Sequence, residues 1–248
     1  MSASATNARL TAVADIANDT ALTVRARRLA MQYSSAEALE ILRVAITDEF
    51  KGRIALVSSF GAESAVLLYL AAQIDKDLPV VFLDTEKHFA QTLSYRKKLA
   101  AQLGLTNVID IHPGKEEVAA RDPKGDLWKR DADACCTLRK VEPLGDALNE
   151  YDAWITGRKQ FHGGGRINLP AFEATATHIK VNPLIRWDKE AIDGYFAANE
   201  LPAHPLTAQG YPSIGCWPCT HPAGADDDIR AGRWRGAAKT ECGIHGLR

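Results

Sequence analysis

The chain has 248 residues, 46% of them hydrophobic, with 30 Lys and Arg against 31 Asp and Glu for a formal net charge of -1. That length and composition can fill the core of one large α/β domain with extensions, and the near-neutral balance leaves no global field to recruit nucleic acid or an anionic membrane. No segment approaches the roughly 20 apolar residues of a membrane span, and no basic stretch leading into an apolar run opens the sequence, so the expectation is a cytoplasmic protein.

Residues 1–20 are small and polar, which predicts a poorly ordered start without visible chemistry. Between 22 and 50, the spacing of Leu39, Leu42, Val44 and Ile46 predicts packing helices, with Ser35 as a cap. Residues 54–59 form a short apolar run ending in hydroxyls, as a buried parallel strand does, and a helix is expected over 62–73. The join, Ser58-Ser59-Phe60-Gly61-Ala62-Glu63-Ser64, puts hydroxyls and approachable backbone N–H groups at a helix N-terminus, a candidate phosphate cradle. It is not a Walker A loop, because the Gly-Lys-Ser/Thr ending is missing.

The arrangement repeats at 79–85, a strand with a polar turn and a helix over 89–103. Strands follow at 107–111 and 151–157, with a helical segment over 133–149 between them. Alternating strands and helices predict a mostly parallel sheet with helices on both faces and ligands at the C-terminal strand ends, where Ser58, Asp84 and Gly157 sit. The basic, glycine-rich stretch 158–166 reads as a lid or an ordinary surface loop. A strand at 178–181 and a helix over 187–199, begun by Asp188, come next. Pro202, Pro205, Pro212 and Pro218 then enforce an irregular path, with no internal repeat or low-complexity linker.

Five cysteines in an expected reducing compartment read as metal ligands or reactive groups rather than disulfides. Cys216 and Cys219 form a Cys-x-x-Cys turn, while Cys135 and Cys136 are adjacent and, on a helix, diverge by about 100°. That divergence is awkward for one zinc ion but suits the separate iron corners of a cubane, and spacing alone leaves both open. Cys242 is left over. It follows Arg230, Arg233 and Arg235, and electropositive surroundings favour a thiolate. It reads as a nucleophile or as a spare thiol on a tail.

With Cys135-Cys136-Thr137-Leu138-Arg139-Lys140, the stretch 210–220, Arg230-Ala231-Gly232-Arg233-Trp234 and Glu241-Cys242-Gly243-Ile244-His245 in this order, the chain resembles the assimilatory adenylyl-sulfate reductases, which belong with the phosphoadenylyl-sulfate reductases. The resemblance runs from about residue 51 to the C-terminus. It implies an adenine-nucleotide α-hydrolase-like fold of the PP-loop, Rossmann-like kind. The division expected is an N-terminal helical extension (1–50), a nucleotide-binding α/β region (51–209), and a C-terminal segment of the same domain (210–248). It further implies a [4Fe–4S] cluster on Cys135, Cys136, Cys216 and Cys219, with Cys242 as nucleophile. The thiolate would attack the sulfur of adenylyl sulfate, AMP would leave, and thioredoxin or glutaredoxin would release sulfite from the S-sulfocysteine.

Carried over residue by residue, the nucleotide would lie along Ser58, Ser59, Phe60, Gly61 and Glu63 and along Leu83, Asp84 and Thr85. Arg230, Arg233 and His245 would face the phosphosulfate, Lys140 would stand between cluster and substrate, and Arg158 would be a further anion contact. The chain departs from the family's pattern at Thr85-Glu86-Lys87, where Thr-Gly-Arg is usual, at Ser64, where a second acid is common, and in the 158–166 loop. The alternatives are a reductase for the 3′-phosphorylated substrate or for both, a PP-loop ATP pyrophosphatase, whose Ser-Gly-Gly-x-Asp-Ser loop is lacking here, and a non-enzymatic cluster or zinc redox sensor. The sequence is compatible with a homo-oligomer and calls for neither a nucleic-acid nor a membrane partner.

Overall fold

A computed structural model of the chain describes residues 20–163, 166, 168–224, 227–235, 239 and 241–246. The disorder expected for 1–20 falls, except at Thr20, outside the described residues, as do positions 164 and 165 of the basic loop.

Among the described residues, six strands form one sheet: β1 (Ile54–Val57), β2 (Val80–Leu83), β3 (Val108–Ile111), β4 (Ala153–Ile155), β5 (Phe172–Ala174) and β6 (Ile179–Val181). Their order is β3-β2-β1-β4-β6-β5. All neighbours run parallel except the edge strand β5, which is antiparallel to β6. The chain builds outward from β1 to β3 and then crosses to the other side of β1 for β4. The carboxyl ends of β1 and β4 therefore flank a topological switch point, where open α/β sheets bind ligands.

Strand periodicity divides the core. Ile54, Leu56, Val80, Phe82, Ala153, Ile155, Ile179 and Val181 face one way, into the larger cluster. Above them lie α1 (Ala21–Gln32), α2 (Ala38–Arg43), α3 (Ser64–Ala72), α4 (Ala90–Leu103) and a later helix, Lys189–Ala198. Ala55, Val81, Leu83 and Trp154 face the other way. Helix α3 is buried nearly all round, as its apolar composition requires. No helix among the described residues is long and apolar enough to cross a membrane.

Beyond β3 come two helices that periodicity does not signal, α5 (Lys115–Arg121) and α6 (Leu127–Arg130). The helical segment expected over 133–149 is interrupted: α7 (Ala132–Cys136) passes into a π-helical turn (Thr137–Val141) and then α8 (Glu142–Leu148). Pro143 supplies the reason. It has no N–H and would clash with the carbonyl four residues back, so the turn before it widens, and Glu142 N–H donates to Thr137 O. Leu144 and Leu148 of α8 cover the second core cluster.

Helix α9 (Lys189–Ala198) begins as expected, Asp188 accepting from Ala191 N at 2.8 Å. Ser35 does not cap. Thr20 caps α1, and α2 follows Glu37 without a side-chain bond. The three-residue edge strand β5 also escapes sequence reading, since it is recognisable only by its pairing with β6.

The last segment lies across the β2–α4 connection. Cys216 bridges to His88 and Arg233 to Thr220, Trp217 N donates to Lys87 O at 2.8 Å, and Trp234 N to Cys219 O at 3.1 Å. Gly232 permits this path, because a Cβ there would fall 2.1 Å from His221 O.

Candidate active site

A pocket opens at the switch point. Its floor is the end of β1 and the turn into α3, and its walls are the loop after β4 and the C-terminal segment. Ser58, Ser59, Gly61, Glu63, Leu83, Lys140, Arg158, Arg230, Arg233, Cys242 and His245 all line it. These come from positions up to 187 residues apart, yet the fold gathers them in one place.

In the β1–α3 turn, Ser58 Oγ accepts from Phe60 N at 3.1 Å, and Phe60 adopts a left-handed φ of 48°. Its ring is fully buried edge-on to Phe82, with centroids 5.7 Å apart. The side chain of Phe60 is thus a core anchor that leaves flanking backbone at the pocket. Asp84 and Thr85 do not line the pocket either. Asp84 Oδ1 accepts from Glu86 N at 2.9 Å, and Thr85 is buried with its hydroxyl 3.2 Å from Cys216 Sγ.

Cations dominate the walls, and carboxylates fix them. Glu63 Oε2 accepts from Lys159 Nζ at 2.8 Å and lies 3.2 Å from His162 Nε2. Burial opposes its charge, but His162 and Lys159 prevail and hold the carboxyl down at about 2. Among the described residues, Glu63 Oε1 is buried without a hydrogen-bond partner. Arg158 pairs with Glu173 at 2.7 Å, and Arg166 grips Glu241 through two bonds of 2.6 and 2.8 Å. Arg233 lies over the Trp234 ring at 4.4 Å and against Gly215, where a Cβ would fall 2.3 Å from its Nη2. His245 stacks on Trp154, centroids 5.8 Å apart and planes 3° apart. Burial, and then Arg158, Arg166, Lys180 and Arg230, push its pKa well below the ordinary imidazole value, so the ring is neutral.

Cys135, Cys136, Cys216 and Cys219 line a second, smaller pocket next door, and Lys140, carried by the π-helical turn, lines both. Burial disfavours the ammonium of Lys140, but Cys216, Cys242 and Cys136 outweigh burial and keep it charged. Burial pushes the Cys135 thiol up to about 11 and raises Cys136 and Cys219. At Cys216 burial is overcome by Lys140 and by the Thr85 hydroxyl, and the pKa is lowered.

The family model of the phosphoadenosine phosphosulfate reductase domain matches residues 53–222. The chain belongs to that family. An adenosine 5′-phosphosulfate reductase of Chelativorans sp. (strain BNC1) is 50% identical over 225 residues, covering 90% of this chain and 91% of that protein. The adenosine 5′-phosphosulfate reductase 1 of Bacillus subtilis is 40% identical over 211 residues, 84% of this chain and 90% of its own. Among solved structures, the phosphoadenylyl-sulfate reductase of Candida auris in complex with phosphate superposes with a TM-score of 0.68 at 28% identity, covering 82% of this chain and 99% of that one.

In this reductase-family chain the second pocket has the donor chemistry an iron–sulfur cluster takes: among the described residues its lining has four free thiols and no carboxylate, with the buried Arg139 and the half-buried Lys140 beside them. Among the described residues, no group of three or more His, Cys, Asp or Glu side chains is arranged to hold a metal ion. Several residues of the main pocket are not evident from the sequence. Lys159, His162 and Arg166 lie in the loop that reads as a lid or surface, Glu241 is overshadowed by Cys242 in its motif, and Trp154 sits inside a strand. A density of basic residues in a loop directly after a strand end was the available signal.

Proposed function

We propose that the chain reduces adenylyl sulfate to sulfite and AMP in sulfate assimilation, through an S-sulfocysteine on Cys242. One observation carries the reading. Cys242 lies in the pocket that also holds the β1–α3 turn and the arginines, while the other four thiols line the neighbouring pocket. The relatives named adenosine 5′-phosphosulfate reductase, up to 50% identical, support adenylyl sulfate over its 3′-phosphorylated form.

The backbone at Ser58, Ser59 and Gly61, with Leu83, receives the nucleotide, while Arg158, Arg230, Arg233 and Lys140 surround the phosphosulfate. The Cys242 thiolate attacks the sulfur. The sulfur–oxygen bond to the phosphate breaks, and its electron pair leaves on AMP, where the cations stabilise the charge. His245 is neutral and offers a hydrogen-bonding Nδ1 without a partner among the described residues. A thiol of thioredoxin or glutaredoxin then attacks Cys242 Sγ, sulfite departs, and the partner's second thiol resolves the mixed disulfide, so that the dithiol supplies both electrons.

Cys135, Cys136, Cys216 and Cys219 would hold a [4Fe–4S] cluster, whose negative charge would act electrostatically on Lys140 and through it on the bound sulfate. Cluster ligands cannot leave their metal, whereas Cys242 is free to present its adduct to a partner.

The test is incubation with adenylyl sulfate and no reductant. One AMP per chain should be released, with one SO3 group on Cys242 by mass spectrometry, and Cys242→Ser should bind nucleotide but form no adduct. An adduct on another residue, or undiminished turnover by the serine variant, would remove Cys242 from the mechanism.

A further inference from the structure

Lys180 stands in the middle of β6 and is 1% exposed, among the largest fully buried side chains of the protein. Burying an ammonium inside a sheet is costly unless every donor is used. On either side in register are Trp154 of β4 and Glu173 of β5, so Trp154, Lys180 and Glu173 form a row across one sheet face. Lys180 Nζ sits 5.9 Å from the Trp154 ring centroid and donates to Glu173 Oε1 at 3.2 Å. Glu173 is shared, because its other oxygen takes Arg158 at 2.7 Å. One carboxylate thus serves two cations, and Lys180 needs another acceptor. It finds the main-chain carbonyl of His245, at 2.8 Å.

The same row carries the rest of the tail. Ile244 packs on the apolar cluster that contains Trp154, and the His245 ring stacks on Trp154 itself. We propose that Lys180 is a positioning residue, a buried cation that docks the C-terminal tail on the sheet through the carbonyl of His245 and so sets the place of Cys242 three residues earlier. The contact is to backbone, so it fixes the path of the tail whatever side chain stands at 245. Released from the sheet, the tail would leave Lys180 to be resolvated and Cys242 without a defined position over the pocket. Losing a hydrogen bond to a charged group shifts such a docking equilibrium by about 10- to 100-fold.

The role of Cys242 rests on the proposed function, but tail docking does not, and the experiment separates them. Limited trypsin digestion without substrate follows cleavage after Lys239, while steady-state assays with adenylyl sulfate follow kcat and KM. Lys180→Met should raise the tail cleavage rate about tenfold with an unchanged far-UV spectrum. It should lower kcat about tenfold and leave KM within about twofold, since the nucleotide turn is untouched. Lys180→Arg, which keeps the cation, should recover most of both. If the Met variant does not fold, Lys180→Gln is read the same way. Wild-type cleavage in the uncharged variant, or an arginine variant as impaired as it, would overturn the proposal. Faster cleavage in a chain whose wild type shows no turnover of adenylyl sulfate would uphold the docking and sink the functional reading instead.

Discussion

Arg166 reaches across 75 residues of sequence to hold Glu241 with two parallel bonds, and its remaining nitrogen lies 3.0 Å from His162 Nδ1. The pair fixes the residue immediately before Cys242. Because a misplacement of about 1 Å near a reacting atom costs on the order of 100-fold, Arg166→Ala should lower kcat/KM by about 10- to 100-fold. Arg166→Lys should rescue little, as a point charge cannot match two carboxylate oxygens. Initial rates of sulfite release check this, and a wild-type kcat/KM in the alanine variant would refute it. Such pairs are what the sequence conceals. Ser58 to Glu63 are adjacent in the chain and their chemistry can be read from order alone, whereas Arg166 with Glu241 and Lys180 with His245 become partners only once the sheet is folded.

At the scale of elements, the widened turn after Cys136 decides where Lys140 points. Deleting Thr137 should remove one residue from the widened turn and rotate Lys140 by about 100° relative to the cysteines before it, away from both pockets. Turnover should fall at least about 100-fold, the loss typical of removing a donor aimed at developing charge, while circular dichroism stays unchanged; retention of activity would show that the π-helical turn is incidental. Purified anaerobically, the wild-type protein should contain about four irons and four sulfides per chain, and Cys136→Ser should lose them. Stoichiometric zinc without iron would exclude the cluster. The strands that build the sheet interior were legible because runs such as 54–57 and 80–83 are apolar on both faces. Edge strand β5 and helix α6 were not, since three or four residues carry too little periodicity to stand out.

For the whole molecule, stability should depend on pH through a buried imidazole remote from the chemistry. His204 is fully buried, accepts from Leu206 N at its Nδ1, and sits 3.0 Å from the Thr92 hydroxyl at Nε2, an arrangement that requires the neutral ring. Burial lowers its pKa from 6.5 to about 4. Above 6.5 neither state binds the proton and there is no effect. Between 6.5 and 4 only the unfolded chain binds it, so stability falls as pH falls, by about 2 kcal/mol at pH 5 and about 3 kcal/mol at the lower limit. Glu63, held at about 2, adds a further loss below pH 4.5. Urea unfolding at pH 7 and pH 5 should show this decrement together with those of His245, His162 and His88, whose pKa values burial also lowers, and His204→Leu should be flatter over that interval. Equal slopes in the two proteins would reject this assignment.

Trp217 is 46% exposed between Cys216 and Cys219, lies edge-on to Trp128 with centroids 5.8 Å apart, and Trp128 and Trp234 line the thiol pocket. Three of the chain's five indoles therefore surround one spot. An iron–sulfur chromophore seated there would absorb their emission by energy transfer at contact range, so the apo protein would glow and the loaded protein would be dim. Ultraviolet fluorescence would then follow loading and oxygen damage in real time, on unlabelled protein and without turnover.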